Sequence, residues 1–380
     1  MELRYTKEQE ELLRAVRHFA ETEIAPQVHA MEREDEFPSR LLKRMAQLGL
    51  MGLPIPTKWG GAGSDFIAYT IAVNEISKVS ATLGVILSVH TSVGTFPIIH
   101  YGTEEQRMKY VRRLASGESL GAFALTETHA GSDAASIRTT ASLSGDHYIL
   151  NGTKMFITNA GAADIYIAFA VTDYSKGAGG ITAFIIESGT EGLRVGRKEK
   201  KMGLHGSNTC ELHFDQIKIP VSQRLGAEGD GFAIAKGSLD GGRIGIGAQA
   251  LGIAEAALQL IHCRWNPYRA KGSHTPGKLK PEHAELADLT AKVEAARLLV
   301  YRAAYLRQEG LSCTKEASMA KMFASDTAVE VTGAAVRLYG LQGCLKELPA
   351  ERLFRDAKVT QIYEGTNEIH RIVISNQLLK

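Results

Sequence analysis

Residues 117–226 read as a succession of short β-strands with no helix between them, while the chain on either side carries helical periodicity. The strand segments are "GAFALTE", "TASLSGDHYIL", "KMFITNA", "DIYIAFAVT", "ITAFIIES" and "CELHFDQIKIP". They are rich in β-branched and aromatic residues and are separated by Gly-Asp, Asn-Gly and Lys-Gly turn signals. A doubly wound sheet needs helices alternating with its strands, so this pattern excludes one. The expected fold is α+β in three parts: an N-terminal helical domain (1–116), a middle β-barrel or sandwich domain of six or more strands (117–226), and a C-terminal four-helix bundle (227–380).

In the first part, Thr6 and Gln9 make a capping box, and Leu12, Leu13, Val16, Phe19, Ala20 and Ile24 recur at helical spacing before Pro26. Further helices are expected over 39–50, 65–77 and 104–115, with "KWGGAGSD" as a glycine-rich turn. In the last part, helices are expected over 231–263, 282–309, 315–340 and 366–379. Residues 264–281, "RWNPYRAKGSHTPGKLKP", hold five Lys/Arg, three Pro, two Gly and no acid, and are expected to be a basic loop, not a helix.

Composition narrows the class. With 44% hydrophobic and 23% charged residues, the 380-residue chain has the makeup of a soluble globular protein. Lys+Arg at 44 against Asp+Glu at 42 leaves no field for nucleic acid or a membrane surface. Cys210, Cys263, Cys313 and Cys344 are too widely spaced for a zinc site or disulfide framework, and the 12 histidines show no metal spacing. The opening "MELRYTKEQE" is charged where a signal peptide is apolar. Residues 242–261, the most apolar stretch, carry Arg243 and Glu255 among Gly and Ala, as a packed core helix does and a membrane span does not. A cytoplasmic enzyme is expected, or its counterpart in a eukaryotic organelle. "GIGAQA" (245–250) has the spacing of a dinucleotide-binding turn but lies inside a helical stretch, which makes it a packing motif.

Four segments carry chemistry: "AFALTETHAGSD" (122–133), "KMFITNAG" (154–161), "LDGGRIGIGAQALGIA" (239–254) and "IYEGTNE" (362–368). Together with "YGTEEQ" (101–106) and "RLFRDAKVTQIYEGT" (352–366), they closely resemble the acyl-CoA dehydrogenase family, in particular its short-chain, butyryl-type members. The resemblance implies FAD as cofactor, an acyl-CoA substrate and electron-transferring flavoprotein as acceptor. It also implies a homotetramer built as a dimer of dimers.

By the same resemblance, Phe123, Leu125 and Thr126 meet the isoalloxazine ring, and Gly131 and Ser132 form a turn near flavin and CoA phosphates. Phe156 packs on the ring and Thr158 faces flavin N5, two residues apart on one strand. Read by itself, Phe156 is better taken as a core aromatic. Glu364 is the general base for the substrate α-proton, and its backbone N–H helps hold the thioester oxygen. Tyr363 walls the cavity, Gly365 lets backbone approach the flavin, and Thr366 caps a helix or touches the cofactor, with Glu368 beside it. Some members carry the base one residue before the arginine of "GGRIG"; that position is Gly242, so Glu364 has no rival there. Asp240 and Arg243, three apart on one helix face, hold CoA or pair with each other. "SVHTSVG" (88–94) lines the acyl pocket.

The match departs from the family in three places. Thr128 replaces the usual Pro before His129. In the motif that holds the ADP half of FAD across a subunit interface, Arg269 remains, but Gly272, Ser273 and Lys280 stand at the Phe, Gly and Gln positions. In a second such motif Arg337 replaces Gln, Gly340 stays, and Leu341 replaces Gly. Cations tolerate loose geometry, so Arg337 and the basic loop still suit a pyrophosphate. Three readings follow: FAD held with altered ADP contacts, a hetero-oligomer with a homologous subunit, or a non-catalytic acyl-CoA-binding chain. A reductase running the same chemistry backwards is a further alternative.

Overall fold

The computed structural model describes residues 4–270 and 281–379; the side chains of 265–270 and 281–283 lie outside that description. Helices α1 (Lys7–Phe19), α2 (Val28–Glu34), α3 (Ser39–Gln47), α4 (Phe66–Val79), α5 (Ala81–Val89), α6 (Phe96–Tyr101), α7 (Glu104–Gln106) and α8 (Arg112–Ala115) come first. The Thr6 hydroxyl accepts from Gln9 N at 3.2 Å while Thr6 N donates to Gln9 Oε1 at 3.0 Å, which fixes the start of α1. Asp65 starts α4 by accepting from Ala68 N at 2.6 Å. Helices α5 and α6, joined by a wider turn, were not among the helices expected from the sequence. Every residue of α5 is buried, as is α6 up to Ile99, so no polar stripe marks them. Among the described residues two helical stretches, Ala81–Tyr101 and Gly231–Arg264, are long and apolar enough to cross a membrane, yet their most apolar windows are 100% and 78% buried inside the protein.

The middle region holds β1 (Gly121–Ala124), β2 (Thr140–Ser144), β3 (His147–Thr158), β4 (Ile165–Val171), β5 (Ile181–Glu187), β6 (Leu193–Lys198), β7 (Thr209–Pro220) and β8 (Arg224–Leu225). Their order in one mixed sheet is β6-β7-β3-β2-β4-β5-β8, with β1 pairing parallel to β4. Every residue of β4 is buried. Ile165, Ile167, Phe169 and Val171 join the core shared with the helices, and Tyr166, Ala168 and Ala170 join a second core inside the β region with Phe184, Leu212 and Ile217. That division follows from the two-residue period of a strand covered on both faces.

One turn expected from the sequence is not a turn. Asn151-Gly152 lies within β3, where the register against β7 shifts between Leu150 and Gly152. Gly152 sits at φ +153, and a Cβ there would lie 2.4 Å from Thr139 Oγ1, so the position is a bulge pressed against a neighbouring chain segment.

After β8 come α9 (Gly231–Ala270), α10 (Pro281–Gln308), α11 (Thr314–Tyr339), α12 (Ala350–Thr360) and α13 (Asn367–Leu378). Two sequence expectations need correcting. Helix α9 continues through 264–270, residues that the sequence reading assigns to the basic loop. Tyr339 on α11 supports this end: its hydroxyl donates to Leu260 O at 3.0 Å, and the Arg264 guanidinium lies 5.9 Å from its ring centre. Helix α12 adds an element to the four expected; its first turn follows Pro349, without the Ser/Thr/Asp/Asn cap that the search relied on. Gly252 shows how tightly α9 lies on α4, since a Cβ there would come within 2.5 Å of Asn74 O.

Candidate active site

The six residues between α12 and α13 make the turn that carries Glu364. Thr366 closes it by capping α13, its hydroxyl accepting from Ile369 N at 3.4 Å. Glu364 adopts φ +54 and Gly365 φ +96. A glutamate in the left-handed region is uncommon and costs on the order of 1 kcal/mol, so the surroundings must hold it there. Gly365 meets the same demand without strain.

The turn points the carboxylate at α9. A Cβ on Gly242 would lie 2.6 Å from Glu364 Oε2, so glycine at that position makes room for the acid. Although the residue as a whole is half-buried, Oε2 is fully enclosed and accepts no hydrogen bond from the described residues. Burial pushes the Glu364 carboxyl up to about 7, opposed by the positive charges of Arg243 and Lys321. A carboxylate ready to take a proton near neutral pH is the result.

The surrounding wall is built from three helices and the turn itself. The Tyr363 hydroxyl donates to Gln249 Oε1, and Gln249 Nε2 donates in turn to Ala81 O at 2.8 Å. Tyr69 on α4 donates to Ser88 O and Oγ, both at 3.4 Å. Burial raises the hydroxyl pKa of both tyrosines, and the nearby Glu364 charge adds to it. Of the "SVHTSVG" segment, Ser88 faces Gly245 and Ser92 faces Gly241 on α9. His90 turns the other way, accepting from Gly121 N at Nδ1 and donating from Nε2 to Leu114 O, each at 3.1 Å.

Asp240 and Arg243 form a buried ion pair at 3.0 Å, and Asp240 also accepts from Thr314 Oγ1 at 2.6 Å. Arg243 Nε is buried with no hydrogen-bond partner among the described residues. The pair therefore exists within the chain and still offers one donor.

A second group forms where β1 continues past its end and meets β3. Met155 N donates to Thr126 O at 2.8 Å, and Lys154 Nζ donates to Leu125 O at 3.0 Å, so the two sequence segments lie side by side. Lys154 is fully buried and pairs with Glu127 at 2.8 Å. Glu127 also accepts from Arg138 N, Thr139 N and Thr139 Oγ1. Burial draws the Lys154 ammonium down to about 8 against the pull of Glu127.

Beyond Lys154 the strand bulges: register with β7 shifts between Lys154 and Ile157, and Phe156 takes φ +58. The bulge lets Lys154 and Ile157 both point inward while Phe156 is left 57% exposed with Thr158 half-buried. Phe156 is thus not a core aromatic. Phe123 is half-buried with its ring 4.8 Å from Phe169, Leu125 is buried, and Thr126 is half-buried. Gly131 and Ser132 are exposed, and a Cβ on Gly131 would meet nothing within 4 Å.

Arg337 and Gly340 stand apart from both groups. Arg337 is sixteen residues beyond Lys321 on α11, about 24 Å along the helix. It is exposed and pairs with Glu285, while Gly340 ends the helix at φ +58 and Leu341 is 81% exposed. Glu368 is exposed in the first turn of α13. The Arg269 side chain and the positions of Gly272, Ser273 and Lys280 lie outside the described residues.

Sequence reasoning missed Lys321, Gln249, Tyr69, Lys154 and Glu127. Lys321 carried a usable signal: it sits at helical spacing with Ala317, Ser325 and Ala328, a small-residue face that packs inward. Lys154 carried one too, as a cation at an inward position of a strand whose other buried residues, Tyr148, Leu150 and Ile157, are apolar.

Models of the acyl-CoA dehydrogenase N-terminal, middle and C-terminal domains match residues 6–118, 122–217 and 229–379. An acyl-CoA dehydrogenase of Bacillus subtilis is 56% identical over 98% of both chains. A short-chain specific acyl-CoA dehydrogenase of Clostridium acetobutylicum is 47% identical over the full length of both. An acryloyl-CoA reductase (NADH) of Anaerotignum propionicum is 44% identical over 100% of this chain and 96% of its own.

Among solved structures, butyryl-CoA dehydrogenase from Megasphaera elsdenii superposes with a TM-score of 0.95 at 45% identity over both whole chains. A chain from work on the electron transferring flavoprotein of Acidaminococcus fermentans gives 0.95 at 46%, again over both whole chains. An acyl-CoA dehydrogenase complexed with FAD from Bacillus anthracis gives 0.90 at 31%, covering 99% of this chain and 67% of that one. These matches define an oxidoreductase. The chain belongs to the acyl-CoA dehydrogenase family.

Proposed function

We propose that the protein converts a short-chain acyl-CoA thioester to its trans-2-enoyl-CoA, with Glu364 as the base. The observation that carries this reading is the enclosed, unpartnered Oε2 of Glu364 facing Gly242. Glu364 takes the α-proton; its own backbone N–H is the donor available for the thioester oxygen as enolate charge develops. Tyr363 and Tyr69 keep water from the carboxylate. Asp240 and Arg243 are assigned to the CoA portion, through the free Nε of Arg243.

The short acyl chain is inferred from the short-chain specific relatives and from Gln249. This buried amide lies seven residues from Gly242 on one helix, about 10 Å along its axis, and puts a polar floor under the cavity.

FAD, when bound, supplies the acceptor for the β-hydride. The residues present fit it: an exposed Phe156 on a strained bulge, Thr158 and Thr126 beside it, and an open turn at Gly131 and Ser132. Arg337, Gly340, Arg269, Thr366 and Glu368 are assigned to its outer portion, the first three across a subunit interface in a homotetramer. Electron-transferring flavoprotein is the proposed acceptor and the cytoplasm the proposed location. The acryloyl-CoA reductase relative favours one second reading, the same site saturating an enoyl-CoA with Glu364 as the acid.

Released FAD per chain, together with anaerobic bleaching of the visible spectrum by butyryl-CoA, tests the reading. One FAD per chain and full bleaching are expected. Half occupancy, or binding only after a homologous chain is added, makes this one subunit of a shared site. No flavin under any condition refutes the enzyme reading.

A pH profile gives a second test. Only ionised Glu364 accepts a proton, so the rate of flavin reduction should climb as pH rises through about 7. A flat profile between pH 6 and 8 would contradict the assignment.

A further inference from the structure

The strained turn at Glu364 has to be held by something, and the structure shows what holds it. Lys321, on α11, is fully buried. Its ammonium donates to Gly365 O at 2.6 Å and to Asn367 Oδ1 at 3.1 Å, so both bonds end on neutral oxygens. Asn367 is clasped to the same helix, donating to Ser325 Oγ at 2.9 Å and to Asp326 Oδ1 at 2.7 Å. Gln361, at the start of the turn, donates to Asp326 Oδ1 at 2.6 Å. One face of α11 therefore grips the turn on both sides of Glu364.

A buried ammonium that reaches no carboxylate directly is costly, and a structural lysine would more cheaply be a neutral donor. The charge needs its own account. The ionisable groups around Glu364 are Arg243 on α9, Lys321 on α11, Tyr69 on α4, Tyr363 within the turn and His370 on α13, with Asp240 beyond Arg243 and Asp326 and Glu368 beyond Lys321. Arg243 exerts the larger pull on Glu364, but it is already paired with Asp240. His370 is held neutral, chiefly by burial. Burial also draws Lys321 down to about 7, opposed first by the charge of Glu364. Lys321 is thus a buried cation whose charge and that of Glu364 favour one another.

We propose that Lys321 is the positioning residue for Glu364: it clamps the Gly365 carbonyl to hold the left-handed turn, and it is the buried counter-charge against which the carboxylate ionises. This rests on Glu364 being the base. Removing the charge while keeping a donor should make Glu364 harder to ionise, and removing both should also loosen the turn.

The test uses Lys321→Gln, Lys321→Met and Lys321→Arg in the purified protein. The first readout is the infrared band of the protonated Glu364 carboxyl, identified by its loss in Glu364→Gln and followed against pH. Turnover of butyryl-CoA against pH is the second. In Lys321→Gln and Lys321→Met the midpoint of the band should rise by about one pH unit. Turnover at pH 7 should fall roughly fivefold in Lys321→Gln and recover near pH 9, as a one-unit shift in the base requires. Lys321→Arg should keep a midpoint close to wild type.

A midpoint that stays in place in folded Lys321→Gln overturns the proposal, whatever happens to turnover. If Lys321→Met does not fold, the Gln and Arg variants still decide the matter by moving apart or failing to. Failure of the base assignment would look different: Glu364→Gln would retain turnover, and no titrating band would vanish with it.

Discussion

Glu364→Gln should give a folded, flavin-binding protein that dehydrogenates acyl-CoA about 10³- to 10⁴-fold more slowly than wild type. The amide has the shape of the acid and fits the same space against Gly242, so binding survives while proton abstraction does not. Stability should move the other way. The folded-state pKa of Glu364 is raised from 4.5 to about 7 by burial, so its favourable contribution is complete below about 4.5 and lost as pH climbs through about 7. Glutamine carries no such cost, and above pH 7 the variant should melt higher than wild type. Stopped-flow flavin reduction and thermal melts at pH 6 and 8 check both halves. Turnover within tenfold of wild type would remove Glu364 from the role of base.

Lys154→Met should have the largest effect on stability. It leaves Glu127 buried without its cation and takes the donor from Leu125 O. Losing one partner of a buried pair costs about 3–5 kcal/mol, and three remaining donors to Glu127 place this case near 3. A melting temperature lower by several degrees is expected. Lys154→Met combined with Glu127→Gln should recover part of it, because no charge is then stranded. Equal losses in the single and double variants would show that Lys154 acts through packing alone.

Fold and site were legible in the sequence to different degrees. The three-part order was open to reading because strand periodicity begins near Gly121 and gives way to helical spacing after Leu225. Helix α5 was hidden by being buried on all sides, and Asn151-Gly152 misled because a dipeptide that favours hairpin turns also serves a bulge. Glu364 was singled out through its motif, but the physics that suits it to the proposed role of base was not readable there. Its left-handed backbone, the glycine opposite it and the ammonium behind it come from three elements far apart in sequence. Phe156 shows the same limit. Alternation alone cannot tell an exposed aromatic from a core one, because the deciding bulge comes from pairing with β7.

The two-sided burial of β4 bears on whether the parts of this chain are interchangeable. A β region cut out at 117 and 226 would carry Ile165, Ile167, Phe169 and Val171 into water, next to Ile181, Ala183 and Ile185 of β5. A recombined gene that swapped this region between relatives would have to swap those positions together with the helical residues they touch, while the even-numbered residues of β4 could travel freely. Inheritance along a single strand is thus split by parity, and the middle of the protein is a shared wall, not a detachable cassette.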